Sequence, residues 1–179
     1  ASLKTLGYHP FSSCTAITKL SVASGNSAFR AENNCLISLS DNRLLLGAAN
    51  TGRIPDGVKI IDDESFAGIE QLEKIIISSS VETIGAGAFM NCKSLKDVTF
   101  EANSKLLIIE NNAFSGCHAL SEITIPASVK SILDSFTNCQ SLKTLKFEGT
   151  MAEFSAATGG NVKLPFEDPL YPGKISCTV

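Results

Sequence analysis

The sequence predicts a solenoid, in which short parallel β-strands and turns stack coil upon coil with little helix. Two observations support this. The same pattern occurs three times in succession, beginning at Ala88, Ala113 and Ser135, as AFMNCKSLKDVTF, AFSGCHALSEITI and SFTNCQSLKTLKF. The aromatic residue that opens each copy recurs every 22 to 25 residues, counting from Phe66. Self-similarity at a fixed period of about 20–50 residues indicates stacked repeats, and so short a coil leaves no room for a long helix.

The composition is that of a globular protein, since 44% of the 179 residues are hydrophobic. We therefore expect a single domain. The net charge is −3 and lysine and arginine form no run, so nothing favours nucleic acid or an anionic membrane as a partner. No apolar stretch approaches the roughly 18 residues of a membrane span. The segment ASLKTLGYHP lacks the apolar core of a secretory signal, which fits either a chain without one or a trimmed chain.

The N-terminal third is predicted to hold a cap and an enlarged coil. Residues 1–10 are assigned to the N-terminal cap. Residues 11–65 begin with FSSCTAITKLSV, a further copy of the pattern, and continue into two short apolar runs, CLISL and RLLLGA, which are separated by SDN. Apolar runs bounded by serine, aspartate and asparagine are typical of a β-hairpin. Pro55 and Gly57 then predict a turn before Val58.

Residues 66–149 hold the regular repeats, each with two strand-like arms. The first arm follows the repeat leucine and alternates apolar and polar residues, as in Val98 to Phe100, which predicts one buried and one exposed face. The second arm is shorter, as in Val81 to Ile84. Like arms should pair with like arms of the next coil, in a stack of roughly six coils.

After Phe147 the pattern ends. Residues 150–179 contain Gly159, Gly160 and three prolines, and finish in a short predicted strand from Ile175 to Val179. Because the end of a solenoid exposes an open sheet edge, we assign residues 150–179 to the C-terminal cap.

The repeats resemble a known family. The segments IGAGAFMNCKSL, IENNAFSGCHALSEITIPASV and ILDSFTNCQSLKTLKF are similar to the BspA-like (Treponema pallidum type) leucine-rich repeats, whose pattern is IG-x-x-AF-x-x-C-x-SL-x-x-I-x-IP-x-SV. The resemblance covers nearly the whole chain and implies a right-handed leucine-rich-repeat solenoid. It also implies an extracellular or cell-surface protein of a bacterium or a protist, which adheres to host matrix or plasma proteins or to neighbouring cells. The family has no known catalytic centre in its repeats.

The repeated cysteines raise the question of a metal site. A column of Cys14, Cys92, Cys117 and Cys139 could present thiolates to zinc. Cysteine is also among the most buried residue types, and Ile69 takes the same place in one copy, which a ligand role would not permit. We therefore interpret the column as core. Disulfides remain open, because stacked cysteines are often poorly oriented for a bond and the pairing of Cys35 and Cys177 does not follow from spacing.

No catalytic constellation emerges from the other motifs. His118 follows Cys117, but a reactive thiol must be accessible and acidic, whereas this cysteine belongs to the predicted core. Gly85 and Gly87 begin like a dinucleotide-binding loop, yet Met90 takes the place of the third glycine. We predict a protein that is not an enzyme and that has no cofactor and no metal.

The best candidates for function are the residues that point outward from the first arms. Stacking would align them into one strip, and solenoids commonly bind partners on such surfaces. The alternative is a solvated face that binds no ligand. The hairpin around residues 33–48 is a second candidate surface.

We expect a protein ligand, either a host extracellular protein or a protein of a neighbouring cell. The alternative function is a structural spacer or assembly unit without a ligand of its own. The candidate binding residues are Lys74, Lys96, Asp97, Thr99, Glu122, Thr124, Lys143, Thr144 and Lys146.

Overall fold

The computed structural model describes residues 3–7, 11, 14–159 and 174–177, and within them the chain forms a solenoid of short strands with one helix. This confirms the predicted fold class. The elements are β1 Phe29–Glu32, β2 Cys35–Ser38, β3 Arg43–Gly47, β4 Ile60–Ile61, β5 Lys74–Ile77, β6 Thr83–Ile84, β7 Asp97–Phe100, β8 Ile108–Ile109, β9 Glu122–Ile125, β10 Ser131–Ile132, β11 Thr144–Phe147, α1 Met151–Thr158 and β12 Lys174–Cys177.

The short second arms and the three N-terminal strands build one seven-stranded sheet, which we call the back sheet. Its order is β1-β2-β3-β4-β6-β8-β10. The first three strands are antiparallel, and from β3 onward each strand pairs in parallel with the next coil. The predicted hairpin is therefore present as β2 and β3. The sequence analysis missed β1, which begins where the Asn26 side chain accepts hydrogen bonds from the backbone of Ala28 and Phe29.

The longer first arms lie on the opposite side of the coils and form what we call the front face. Strand β5 pairs in parallel with β7, and β9, β11 and β12 form a second parallel sheet. Each of the strands β5, β7, β9 and β11 alternates exposed or half-buried side chains with more deeply buried ones. This alternation follows from the pleat of a strand with one face on the core, as the sequence predicts.

The core is organised around four stacked phenylalanines, one from each regular coil. Phe66, Phe89, Phe114 and Phe136 are fully buried, and successive ring centroids lie 4.9, 5.2 and 5.6 Å apart with nearly parallel planes. These distances lie in the range of favourable ring pairs. Strand β3 covers the first ring so closely that a Cβ atom at Gly47 would lie 1.8 Å from the Phe66 ring, which only glycine avoids.

One left-handed backbone position is shared by all four regular coils, and the sequence analysis did not identify it. It lies two residues after the phenylalanine and is occupied by Gly68, Asn91, Gly116 and Asn138, with φ angles of 73°, 59°, 73° and 59°. Glycine and asparagine tolerate this conformation better than other residues. The exchange of asparagine for glycine at a fixed offset from the phenylalanine was the sequence signal for a tight turn.

The N-terminal copy of the pattern departs from the prediction. The described residues between Cys14 and Ala28 contain no strand, and Cys14 is exposed, so its placement in the buried cysteine column was wrong. The apolar side chains of this segment pack instead on a separate cluster formed by Phe29, Leu36 and Leu46. Strand β3 of the hairpin packs on Phe66 of the first regular coil, in the place that a further stacked copy would take.

The C-terminal end contains a helix that the sequence analysis missed. Helix α1 starts at a capping box, in which the Thr150 hydroxyl accepts from the Glu153 backbone and the Glu153 carboxylate accepts from the Thr150 backbone. Phe154 packs against Phe147, with ring centroids 5.5 Å apart, and β12 pairs with β11. The division into caps and repeats stays a prediction, since residues 160–173, 178 and 179 and much of the segment 1–13 lie outside the described residues.

Candidate functional site

The front face carries the side chains that the sequence predicts as a binding surface. Parallel pairing places Lys74 of β5 beside Asp97 of β7, and Glu122 of β9 beside Thr144 of β11. A second row runs two residues further along each strand and includes Thr99, Thr124 and Lys146. All the predicted candidates are exposed except Thr144, which is half-buried. The fold thus brings these residues onto one face, while their role in binding stays a prediction.

Ion pairs between neighbouring coils neutralise part of this charge. Lys96 Nζ lies 2.9 Å from Glu73 Oε2, and Lys146 Nζ lies 3.4 Å from Glu122 Oε2. The Lys96 ammonium lowers the pKa of the Glu73 carboxyl through this hydrogen bond. Because these pairs are exposed, each contributes little to stability. Among the described residues, Asp97 has no ion pair within 4.0 Å, although parallel pairing places Lys74 beside it.

The front face is interrupted between β7 and β9. These strands are neighbours, with Cα atoms within 8 Å of each other, yet no backbone hydrogen bonds join them in the described part of the chain. A cleft of about 470 Å³ opens there, and we call it the seam cleft. Its walls are β7, the loop from Glu101 to Ser104, β9, the turn from Pro126 to Ser128, and Glu148. Sequence reasoning expected a continuous strip and missed the break.

The loop on one side of the cleft belongs to the longest repeat, whose phenylalanines are 25 residues apart. Glu101 fixes this loop to the preceding coils. Its carboxylate accepts a hydrogen bond from Arg53 Nε at 2.7 Å and another from the Ser79 backbone N–H at 3.1 Å. The Arg53 guanidinium lowers the pKa of the Glu101 carboxyl. These contacts attach the loop to the preceding coils. We attribute the open seam to the extra residues of this repeat.

The cysteines have the properties of core residues. Cys92, Cys117 and Cys139 are buried and reduced, and their thiols donate hydrogen bonds to backbone carbonyls. Burial raises the pKa of Cys92 and of Cys139 to about 12, which disfavours the thiolate that a metal or a nucleophilic reaction needs. No group of three or more His, Cys, Asp or Glu side chains in the described residues could hold a metal ion.

His118 does not form a catalytic pair with its neighbour. The imidazole is half-buried, and no hydrogen bond joins it to the Cys117 thiol in the part of the chain that the structure describes. That thiol donates instead to the Phe89 carbonyl, and burial strongly raises its pKa. The arrangement is the opposite of an activated nucleophile, which has a lowered pKa and an accessible sulfur.

No helix within the described residues has the length and apolar character needed to cross a membrane. No curated protein matches this chain.

Solved structures with the same fold come from bacterial leucine-rich repeat proteins. A leucine-rich repeat protein from Bacteroides capillosus is 28% identical and superimposes with a TM-score of 0.60 over 69% of this chain and 100% of its own. A leucine rich cell surface protein from Faecalibacterium prausnitzii is also 28% identical, with a TM-score of 0.55, and this chain covers 47% of it. The pneumococcal vaccine antigen PcpA, at 16% identity and a TM-score of 0.53, shares the fold.

The sequence profile of the BspA type leucine rich repeat region matches residues 48–159 in six copies. The match spans more than half of the chain and includes all four stacked phenylalanines, the buried Cys92, Cys117 and Cys139, and the strands β5, β7, β9 and β11. The chain therefore belongs to the BspA type leucine-rich repeat family.

Proposed function

We propose that this chain is a non-enzymatic, surface-exposed or secreted module that binds a protein ligand through its front face. One observation carries the proposal: the candidate side chains form regular, exposed rows across β5, β7, β9 and β11, on a rigid core of stacked rings. Extended solenoid surfaces of this kind commonly bind other proteins. We expect the ligand to be a host matrix or plasma protein, or a protein of a neighbouring cell.

The similarity to a leucine rich cell surface protein supports the proposed location outside the cell. The absence of catalysis is supported by the state of the cysteines, since a buried thiol with a raised pKa is a poor nucleophile. Adhesion to host matrix is the more specific part of the proposal. It requires that the front face binds a matrix protein.

A charge-neutral variant tests the front face. Replacing Lys96 and Lys143 by Gln, Asp97 by Asn and Glu122 by Gln removes two positive and two negative charges, so the net charge stays the same. Wild type and variant are applied to an immobilised panel of purified collagen, laminin, fibronectin and fibrinogen, and to intact cells of other bacteria. We expect the wild type to bind at least one member and the variant to lose that binding.

The matched control carries the same number of changes away from the front face: Lys59, Glu82, Glu110 and Lys130 to Gln, beside or just beyond the back-sheet strands. Circular dichroism and thermal unfolding show whether each variant is folded. If the two variants bind equally well, the front face is not the binding surface. If the wild type binds nothing while the chain holds a longer protein in a fixed arrangement, the spacer function is the better account.

A further inference from the structure

Two neighbouring coils are joined everywhere except along their front arms. Strand β5 pairs with β7, and β9 pairs with β11, over four residues each. Between β7 and β9 no backbone hydrogen bond is present in the described part of the chain. The same two coils remain joined at the back, where β6 pairs with β8, and at the turn, where the Phe89 N–H donates to the Ala113 carbonyl at 2.7 Å. The contact between these coils is therefore incomplete on the front side alone.

The hydrogen bonds to the outer neighbours identify the backbone groups that face the seam. The Glu101 N–H donates to the Ile77 carbonyl of the preceding coil, and the Ile125 carbonyl accepts from the Glu148 N–H of the following coil. Successive residues of a strand point toward opposite neighbours, so the residues between these bonded ones point into the seam. We call their N–H groups the seam amides: Val98, Phe100, Glu122 and Thr124.

The core side chains of β7 are less buried than their equivalents in the neighbouring coils. Val98 is 9% exposed, and Phe100 is half-buried. The side chains in the same positions of β5 and β9 are at most 2% exposed: Ile75, Ile77, Ile123 and Ile125. Bringing β7 and β9 together would pair the seam amides and cover more of Val98 and Phe100. Both changes favour a closed seam.

The loop that follows β7 opposes closure. The step from the end of the front strand to the next buried residue is six residues long here, from 100 to 106. It is four residues long in both flanking coils, from 77 to 81 and from 125 to 129. Glu101 attaches this longer loop to Arg53 and to the Ser79 backbone. Unused pairing and packing thus favour the closed seam, and the two extra residues favour the open one.

We propose that the junction between the coils of Phe89 and Phe114 is a hinge, about which the front face alternates between the open seam and a closed form in which β7 and β9 pair. The pairing of β6 with β8 and the stacked rings, 5.2 Å apart, form the axis, because these contacts are intact. The movement is small, since Cα atoms of β7 and β9 already approach within 8 Å, against about 4.8 Å between paired strands.

The hinge changes the surface that the chain presents. The closed form has one continuous front sheet from β5 to β12, whereas the open form has two separate sheets. A ligand that covers both sheets would favour whichever form it binds more tightly. The inference concerns a motion of the chain itself and does not depend on the proposed function.

The unaltered chain supplies the first test. Relaxation-dispersion NMR of the 15N-labelled chain detects exchange between two forms on the microsecond to millisecond timescale. We expect dispersion for the seam amides and for residues 101–105, and none for β6 and β8, which lie on the hinge axis. Seam amides without dispersion, or dispersion of equal size in every coil, would overturn the proposal.

A shortened loop supplies the second test. Deleting Ala102 and Asn103 gives this coil the four-residue step of its neighbours and should hold the seam closed. We expect hydrogen exchange of the seam amides to slow at least roughly ten-fold and their dispersion to disappear. The minor-form chemical shifts obtained from the unaltered chain should match those of the deletion variant, which identifies the minor form as the closed one.

The matched control changes the same two residues and keeps the length of the loop. Ala102→Gly with Asn103→Gly should leave exchange of the seam amides as in the wild type, since glycine accepts the φ of 58° at position 103. Circular dichroism shows whether each variant is folded. A folded deletion variant whose seam amides exchange as fast as in the wild type would overturn the hinge, and equal protection in both variants would overturn the role of loop length. If the deletion variant does not fold, the dispersion of the unaltered chain decides.

Discussion

The Cys117 thiol donates a hydrogen bond to the carbonyl oxygen of Phe89, one coil earlier, with Sγ and O 3.2 Å apart. The neighbouring coils repeat this contact at 3.1 Å, from Cys92 to Phe66 and from Cys139 to Phe114. The contact explains why Ile69 replaces cysteine in the coil of Phe66. The Phe11 copy does not stack beneath that coil, so no phenylalanine carbonyl is available there to accept from a thiol.

The first prediction concerns this contact. We expect Cys117→Ala to lower the free energy of unfolding by about 1–3 kcal/mol, because the change removes a buried sulfur and a hydrogen-bond donor. Cys117→Ser should cost less, since the hydroxyl can still donate to Phe89. Urea unfolding measures both. The control is Cys14→Ala, where the side chain is exposed and the expected change is close to zero. Equal losses at both sites would show that the buried contact does not contribute to stability.

The second prediction follows from the raised pKa values of the buried thiols. The pKa of Cys92 and of Cys139 is about 12, against an ordinary value of 9.0. Above pH 9 the unfolded chain loses these protons and the folded chain keeps them, so the free energy of unfolding should fall as the pH rises from 9 toward 12. The slope approaches about 1.4 kcal/mol per pH unit for each thiol.

Urea unfolding at a series of pH values checks this dependence. The variant with Cys92 and Cys139 both changed to Ala is less stable at neutral pH, but its stability should decline less steeply above pH 9. A thiol reagent supplies an independent measurement: in the folded chain Cys14 and Cys177 should react first, and the four buried thiols only on unfolding. If the free energy of unfolding falls equally steeply above pH 9 in wild type and variant, the buried thiols of Cys92 and Cys139 are not the cause of the pH dependence.

The third prediction concerns the left-handed turn position. Asn138 is exposed and has a φ of 59°, so a substitution there tests the backbone and leaves the packing unchanged. We expect Asn138→Val to destabilise the fold by about 1–2 kcal/mol, because a β-branched residue is strained at positive φ. Asn138→Gly should be close to neutral. The same exchange at exposed Gln140, Gln140→Val, is the control and should have little effect on the urea midpoint. A valine tolerated equally at both positions would show that the turn adapts.

The fourth prediction concerns the loop that borders the seam cleft. Arg53→Gln removes the ion pair with Glu101, which is partly exposed, so the free energy of unfolding should fall by only about 0.5–1 kcal/mol. Amide hydrogen exchange in residues 102–105 should rise more than elsewhere, because the loop loses its attachment to the preceding coils. Lys93→Gln, which breaks the pair with Glu70, is the matched control and should leave exchange in this loop unchanged.

The Arg53 effect should depend on pH with a defined sign. The pKa of Glu101 is lowered in the folded chain, from an ordinary value of 4.5. The stability that this pair contributes is therefore present above pH 4.5 and is lost as the pH falls through the lowered pKa. The difference between wild type and Arg53→Gln should shrink in acid. A constant difference would assign the effect to packing and not to an ion pair.

Much of the candidate site could be predicted from the sequence, because parallel stacking fixes which residues share a row. The offset of eight residues from each phenylalanine identifies Lys74, Asp97, Glu122 and Thr144 as one row, and the pairing of the strands agrees with it. The seam could not be predicted in this way. A longer repeat indicates extra residues, but it does not tell whether they loop out harmlessly or separate two strands. We attribute the outcome to contacts such as that of Glu101 with Arg53, which is 48 residues away in sequence.

By itself the sequence determined the solenoid, the family and the face on which the variable residues lie. It did so because a repeat of 22 to 25 residues allows only short arms, and alternation along an arm separates core from surface. Only the tertiary structure decided where the regular stacking stops. It placed Cys14 outside the column, since the β-hairpin already covers Phe66, and it opened the cleft between β7 and β9. Both features involve contacts between segments that are distant in sequence. Such contacts are not periodic, so the repeat pattern does not reveal them.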